Sequence, residues 1–183
     1  MAKILGICGS LRRGSYNLML LQEAIREFAP DLYGMGDIRF PLYDGDLEDE
    51  EGIPEGVQTL ADWISKADAV IIATPEYNKS LPGGLKNALD WISRLPENPW
   101  TDKPVSIISA AAGRGGGDRS QFALRLALAP FGPLVMNGRE VLVSNPADCF
   151  DEDGYLTDER ARRALTTHVA AFRDLVAACN PVR

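Results

Sequence analysis

The sequence predicts an α/β fold: a doubly wound parallel sheet of five strands in the order 2-1-3-4-5, with helices on both faces. Three observations lead there. Apolar strand-like runs alternate with helix-like stretches about five times along the 183 residues, which is the pattern of βαβ units. Two of those runs, Ala69-Val70-Ile71-Ile72-Ala73 and Pro104-Val105-Ser106-Ile107-Ile108, lack apolar/polar alternation, as strands covered on both faces do. The stretches after the first, third and fourth strands are rich in Gly, Ser, Pro and Asn, and in such a sheet ligands sit beyond the carboxyl ends of the strands. The length suits one domain over residues 1–183, and right-handed crossovers fix the topology.

Each element has its own signal. Ile4-Leu5-Gly6-Ile7-Cys8 reads as the first buried strand. A helix follows from about Ser15 to Phe28, with Leu18, Leu21, Ile25 and Phe28 on one face, and it stops before Pro30. Gly36-Asp37-Ile38-Arg39-Phe40 is a weak second strand near the sheet edge. Pro41 to Gly52 is acidic and reads as a solvated surface loop. Pro54 opens a helix that buries Val57, Leu60 and Ile64. The strand at residues 69–73 leads through a proline-bounded loop to a helix with Leu85, Leu89 and Ile92 at helical spacing. After the fourth strand, a helix from about Arg119 to Ala129 packs Phe122 and Leu126. Val141-Leu142-Val143 marks the last strand, and Asn145 to Gly154 is a loop. Thr157 caps a final helix with Asp158 and Glu159 in its first turn and Ala161, Leu165, Val169, Phe172 and Val176 as its buried stripe. The two glycine clusters read as loop tips.

Composition narrows the function. A net charge of −7 disfavours nucleic acid and anionic membrane as partners. No apolar run approaches the roughly 20 residues of a membrane span, and Met1-Ala2-Lys3 leads straight into a strand, with no signal-peptide pattern. Cys8, Cys149 and Cys179 form no C-x-x-C pair, so a reduced cytoplasm is the simplest setting. The single histidine, His168, reads as a solvated or half-buried helix residue. A zinc site or a Ser-His-Asp hydrolase lacks the material it would need, so no metal ligands and no catalytic side chain are assigned.

The loop Gly9-Ser10-Leu11-Arg12-Arg13-Gly14-Ser15-Tyr16-Asn17 joins the first strand to the first helix. Amides at a helix start point at the loop, and the helix dipole favours an anion there. Ser10, Ser15 and Asn17 add neutral donors, and Arg12 or Arg13 adds a charged fork. Ser15 stands where a P-loop needs lysine, and the dinucleotide fingerprint G-x-G-x-x-G is missing, which leaves a phosphate monoester. A plain Ser/Gly turn with a helix cap gives the same pattern. The second loop is stiffened by Pro75 and Pro82 and offers Glu76, Tyr77 and Asn78. The third, Ser109 to Gly117, is nearly all Ala and Gly, so its backbone can come close to a flat ligand. A phosphate at one end and a flat, polar-edged ring between two thin loops describes FMN.

These residues carry a family resemblance. Gly9-Ser10-Leu11-Arg12-x-Gly14-Ser15-x-Asn17 and Pro75-Glu76-Tyr77-Asn78-x-Ser80-x-Pro82-Gly83-Gly84-Leu85-Lys86-Asn87-Ala88-x-Asp90-Trp91 resemble the NADPH-dependent FMN reductases, the flavodoxin-like quinone, chromate and azo-dye reductases. The likeness extends to Gln121-Phe122-x-Leu124-Arg125. It implies that Ser10, Arg12, Ser15 and Asn17 bind the FMN phosphate, and that Pro75, Glu76, Tyr77 and Asn78 line the ring with Ser109 and Gly113 opposite. Ala110-Ala111-Ala112 stands where similar proteins carry hydroxyls, so backbone contacts must substitute there. The resemblance also implies homodimers or homotetramers. Asp90 and Trp91 read as serving folding or assembly rather than flavin contact. The expected activity is hydride transfer from NADPH or NADH through bound FMN to quinones or similar small acceptors such as FMN, azo dyes or chromate. A flavodoxin-type one-electron carrier and a redox-silent phosphate-ligand sensor are the rival classes.

Overall fold

The computed structural model describes residues 2–138 and 140–180. The chain runs β1 (Lys3–Cys8), α1 (Tyr16–Phe28), β2 (Leu32–Gly36), α2 (Gly45–Glu51), α3 (Glu55–Lys66), β3 (Ala69–Ala73), α4 (Gly83–Ile92), β4 (Pro104–Ala111), α5 (Asp118–Leu128), β5 (Leu134–Val135), β6 (Val141–Ser144) and α6 (Glu159–Cys179). Among the described residues the pairings between these strands are all parallel, and β2, β1, β3 and β4 lie side by side in that order.

The fifth position of the sheet is shared. Val105 pairs with Val70 of β3 and with Val135 of β5, while Ile108 pairs with Ala73 of β3 and with Val141 of β6. Both short strands therefore flank β4 on the side away from β3. The order 2-1-3-4-5 holds, with position five built from two pieces, of which the sequence reading found only the second.

Strand residues alternate between two cores. Ile4, Ile71, Ile108 and Val141 face α1 and α6, meeting Leu21, Ile25, Phe28, Val169 and Phe172. Leu5, Ile7, Val70, Ile72 and Ile107 face α3, α4 and α5, meeting Leu60, Ile64, Leu89, Trp91 and Leu124. On α6, His168 is buried and its Nε2 lies 2.7 Å from the Ser106 hydroxyl of β4, so the expected half-solvated histidine is a core contact instead.

Several elements differ from the expectation. The second strand is Leu32–Gly36 rather than residues 36–40; Ile38 is buried, but in coil crossing toward the second core. The acidic stretch expected to be a loop holds the seven-residue α2, capped by Asp44, whose side chain accepts from Asp46 N–H at 3.0 Å. Asp158, not Thr157, caps α6, accepting from Ala161 N–H at 2.8 Å. Gly83 and Gly84 are no loop tip; they open α4. On α5 the buried residues are Ser120, Gln121, Leu124 and Leu128, whereas Phe122 and Leu126 are 60% and 77% exposed. Both apolar pairs share one helical spacing, so periodicity alone does not choose between them. The polar pair Ser120 and Gln121 chooses by turning inward: the Ser120 hydroxyl donates to Gly117 O at 3.1 Å, and Gln121 Nε2–H donates to Ser109 Oγ of β4 at 2.8 Å and Val141 O of β6 at 3.0 Å.

Asn87 and Trp91 of α4 pin the coil ahead of α2. The Asn87 Nδ2–H and the Trp91 indole N–H both donate to the Pro41 carbonyl, at 2.9 and 2.8 Å, and Asn87 Oδ1 accepts from Tyr43 N–H at 2.8 Å. Trp91 is fully buried and tied to this coil, and Asp90 pairs with Lys86 on the surface.

Candidate functional site

A cleft of about 420 Å3 opens beyond the carboxyl ends of the strands. Its walls are Ser10, Arg12 and Gly14 to Asn17 after β1, Pro75 to Tyr77 after β3, Ala110 to Ala112 at the end of β4, and Asn145 to Asp148 after β6. That volume falls within the range of small-molecule and cofactor pockets.

The first wall is a helix start. Ser15 caps α1, its Oγ accepting from Leu18 N–H at 3.3 Å. The amides of Tyr16 and Asn17, first in the helix, have no intrahelical carbonyl within reach and remain for a ligand. Ser10 Oγ accepts weakly from Arg12 N–H at 3.5 Å, which leaves its own hydrogen free. Arg12 is the one cation among the lining residues. Beneath this wall Cys8 points its thiol at the Ser10 carbonyl, 3.4 Å away, and burial pushes that thiol's pKa up.

Two glycine-dependent contacts set the loops against one another. Gly9 N–H donates to Ala73 O at 2.8 Å, and a Cβ on Gly9 would stand 3.1 Å from Pro75 Cδ and from Pro82 Cγ, so the first and second loops touch here. Gly116, at φ +57°, lies where a Cβ would come within 2.8 Å of the Leu142 carbonyl carbon. The glycine loop thus lies tight against β6 at Gly116.

Seven of the ten expected cofactor residues, Ser10, Arg12, Ser15, Asn17, Pro75, Glu76 and Tyr77, share the cleft. Three do not line it. Asn78 and Lys79, at φ +50° and +65°, form the tip of a tight turn closed by reciprocal Tyr77–Ser80 backbone bonds of 3.1 Å. The Ser109 hydroxyl is fully buried, donating to Gly116 O at 2.7 Å and accepting from Gln121 Nε2–H at 2.8 Å. Gly113 lies past the strand end, and its carbonyl accepts from Gly116 N–H. Asn17 is in the wall, but its carboxamide is bonded on both ends to the Ala110 backbone, at 2.8 and 2.9 Å. Glu76 keeps one carboxyl oxygen, Oε2, out of solvent with no hydrogen-bond partner.

The wall from Asn145 to Asp148 went unread in the sequence. Its residues carry no phosphate or ring motif; their position follows from β6 running parallel beside the carboxyl end of β4. Tyr16, also unread, stacks on Phe150 at 5.9 Å and ties this wall to the start of α1. Among the described residues no cluster of three or more His, Cys, Asp or Glu side chains could hold a metal ion, and no helix is long and apolar enough to cross a membrane.

Comparison with known proteins agrees with this geometry. The family model described as NADPH-dependent FMN reductase matches residues 2–148. The chain is 43% identical over 173 residues to an NAD(P)H-dependent FMN reductase of Pseudomonas aeruginosa, covering 93% of each. It is 40% identical to a quinone reductase of Escherichia coli K12, covering 95% of each. The solved structure of FerB, an NAD(P)H:(acceptor) oxidoreductase from Paracoccus denitrificans, superposes with a TM-score of 0.87 at 33% identity, covering 97% of this chain and 98% of that one.

Proposed function

The chain belongs to the NADPH-dependent FMN reductase family, and from that premise we propose that it binds FMN in this cleft and works as an NAD(P)H-dependent oxidoreductase acting on quinones or similar small acceptors. The observation that carries the reading is the donor set at the start of α1. The free amides of Tyr16 and Asn17, the hydroxyls of Ser10 and Ser15 and the Arg12 guanidinium converge on one end of the cleft. Such a set suits a phosphate monoester, which offers only acceptors and negative charge. The fit is chemical: the other walls, Pro75, Tyr77 and Ala110 to Ala112, are largely apolar or flat and suit a ring.

FMN supplies the hydride chemistry when bound, taking two electrons from NAD(P)H and giving them to the acceptor. The chain's own residues hold and orient. Arg12 neutralises phosphate charge, while Ser15 joins the binding end to the helix cap. Pro75 and Tyr77 form a wall stiffened by the Gly9 contact behind it. Asn17 keeps its place among the site residues through its backbone N–H, with its side chain acting on Ala110. Asn78, Ser109 and Gly113 act on the loops that shape the cleft.

In this reading the whole chain is one FMN-binding domain that assembles as a homodimer or homotetramer in the cytoplasm. The exposed Phe122 and Leu126 of α5 support assembly, as an apolar face that a second copy would cover. The three free cysteines fit a reducing compartment.

The test is anaerobic stopped-flow of FMN-loaded protein. Mixing with NADPH or NADH should bleach the flavin absorbance within a turnover, and added quinone should restore it. Persistent yellow colour after NAD(P)H would overturn the oxidoreductase reading and favour a one-electron carrier.

A further inference from the structure

The β4 side of the cleft is poor in polar side chains. Ala110 to Ala112 carry none, the Ser109 hydroxyl turns to Gly116, and the Asn17 carboxamide is committed to Ala110. Ser144 pairs with Ala111 across the β4–β6 ladder, so Asn145 follows directly beyond that rung, beside the alanines. Of the two carboxamides in the cleft lining, Asn145 is the one with both ends free of hydrogen bonds within the described residues.

Its backbone is unusual. Asn145 lies in the left-handed region, at φ 47° and ψ 55°. Asn tolerates that conformation, but Gly adopts it without cost, so conformation alone does not call for a carboxamide. The Asn145 carbonyl is occupied, accepting from Asp148 N–H at 3.1 Å and from the Cys149 thiol at 3.6 Å. Pro146 is buried, Cys149 O accepts from Thr157 N–H at 2.8 Å, and Phe150 stacks on Tyr16. A fixed frame therefore presents a free carboxamide beside the start of α1, and strain of this kind points toward function.

We propose that Asn145 is a cofactor-holding residue whose carboxamide hydrogen-bonds the ribityl hydroxyls of the bound flavin; this rests on the FMN reading above. A hydroxyl both donates and accepts, and Oδ1 and Nδ2 match it in both senses. The phosphate is already served by Ser10, Arg12, Ser15 and the helix amides, and the carboxyl of Asp148 in the same wall makes a poor neighbour for an anion.

The experiment uses Asn145→Gly, which keeps the left-handed turn and removes only the carboxamide. Flavin fluorescence quenching is titrated with FMN, riboflavin and lumiflavin, the last lacking the ribityl chain. Loss of one neutral hydrogen bond predicts FMN and riboflavin binding weaker by about 2- to 12-fold, with lumiflavin unchanged. Asn145→Asp, which keeps the turn and the acceptor, should fall between the two, and it carries the test if the Gly variant does not fold. Unchanged FMN affinity, a loss for FMN alone, or an equal loss for all three ligands would overturn the assignment. Wild-type protein that takes up no flavin would instead bring down the reading beneath it.

Discussion

Asn17 and Ala110 are joined twice. The Asn17 Nδ2–H donates to Ala110 O at 2.8 Å, and Ala110 N–H donates to Asn17 Oδ1 at 2.9 Å. The β3 side of β4 runs out of strand partners at this point, where Thr74 N–H donates to Ile108 O at 2.9 Å. Two residues on, the Asn17 carboxamide replaces the missing strand and pairs both backbone groups of Ala110. It ties the binding end of α1 to the β4 wall.

Asn17→Ala leaves the buried N–H and C=O of Ala110 unpaired. We expect a stability loss of about 2–6 kcal/mol in urea unfolding, at about 1–3 kcal/mol for each of the two stranded groups. Asn17→Asp should also destabilise, because an oxygen then replaces the donor facing the Ala110 carbonyl.

Gly116→Ala forces a Cβ to within 2.8 Å of the Leu142 carbonyl carbon at a left-handed residue. A loss of about 2–4 kcal/mol is expected, from strain and displacement of β6. Gly113→Ala, where a Cβ meets nothing within 4 Å, should stay within about 0.5 kcal/mol of the wild type. Matched thermal melts of the two variants check the contrast.

This pair also marks what the sequence discloses. Ala69–Ala73 and Pro104–Ile108 were legible as central strands because burial on both faces leaves a continuous apolar run. The edge strand β2 was misplaced because Leu32-Tyr33-Gly34-Met35-Gly36 is interrupted by glycines, while the coil residues Ile38 and Phe40 imitate strand alternation. Ser10, Ser15 and Tyr77 were legible in the site because local motif and position coincide. Asn78, Ser109 and Asn17 showed the right residue type, but their side-chain partners are set by the turn, the glycine loop and β4. The Asn145 wall was hidden because only pairing across the sheet brings it to the cleft.

Burial raises the Cys8 thiol's pKa above its ordinary value, with a hydrogen bond from the Ser10 backbone, the Ser15 hydroxyl and the Arg39 charge offsetting part of the shift. A folded pKa above the unfolded one stabilises the fold fully below the unfolded value, and that share is lost as pH rises through the folded value. Across the alkaline range above the ordinary thiol value of about 8.5, wild-type protein should therefore lose stability more steeply than Cys8→Ala. Denaturant midpoints across that range give the comparison, and parallel slopes would contradict the expectation.

Arg12→Ala removes the one cation of the cleft lining. FMN affinity should fall by about 10- to 100-fold, as for a lost charge-assisted hydrogen bond, while riboflavin, without the phosphate, should bind as it does to the wild type. Fluorescence titration with both flavins separates this outcome from general damage to the loop.

Leu126→Glu places a carboxylate on the exposed apolar face of α5 without touching either core. If that face joins copies of the chain, light scattering after gel filtration should show a smaller species than the wild type with an unchanged far-ultraviolet spectrum. An unaltered mass would move the interface elsewhere.

The divided fifth strand bears on how the protein meets its own kind when crowded. At that border β5 contributes two residues and β6 four, with a break between them. A stray extended segment from a damaged neighbour finds no long unbroken row of amides and carbonyls to copy. Fibril-like growth is thereby starved of a template along this margin, and the opposite margin at β2 is where such growth would have to begin.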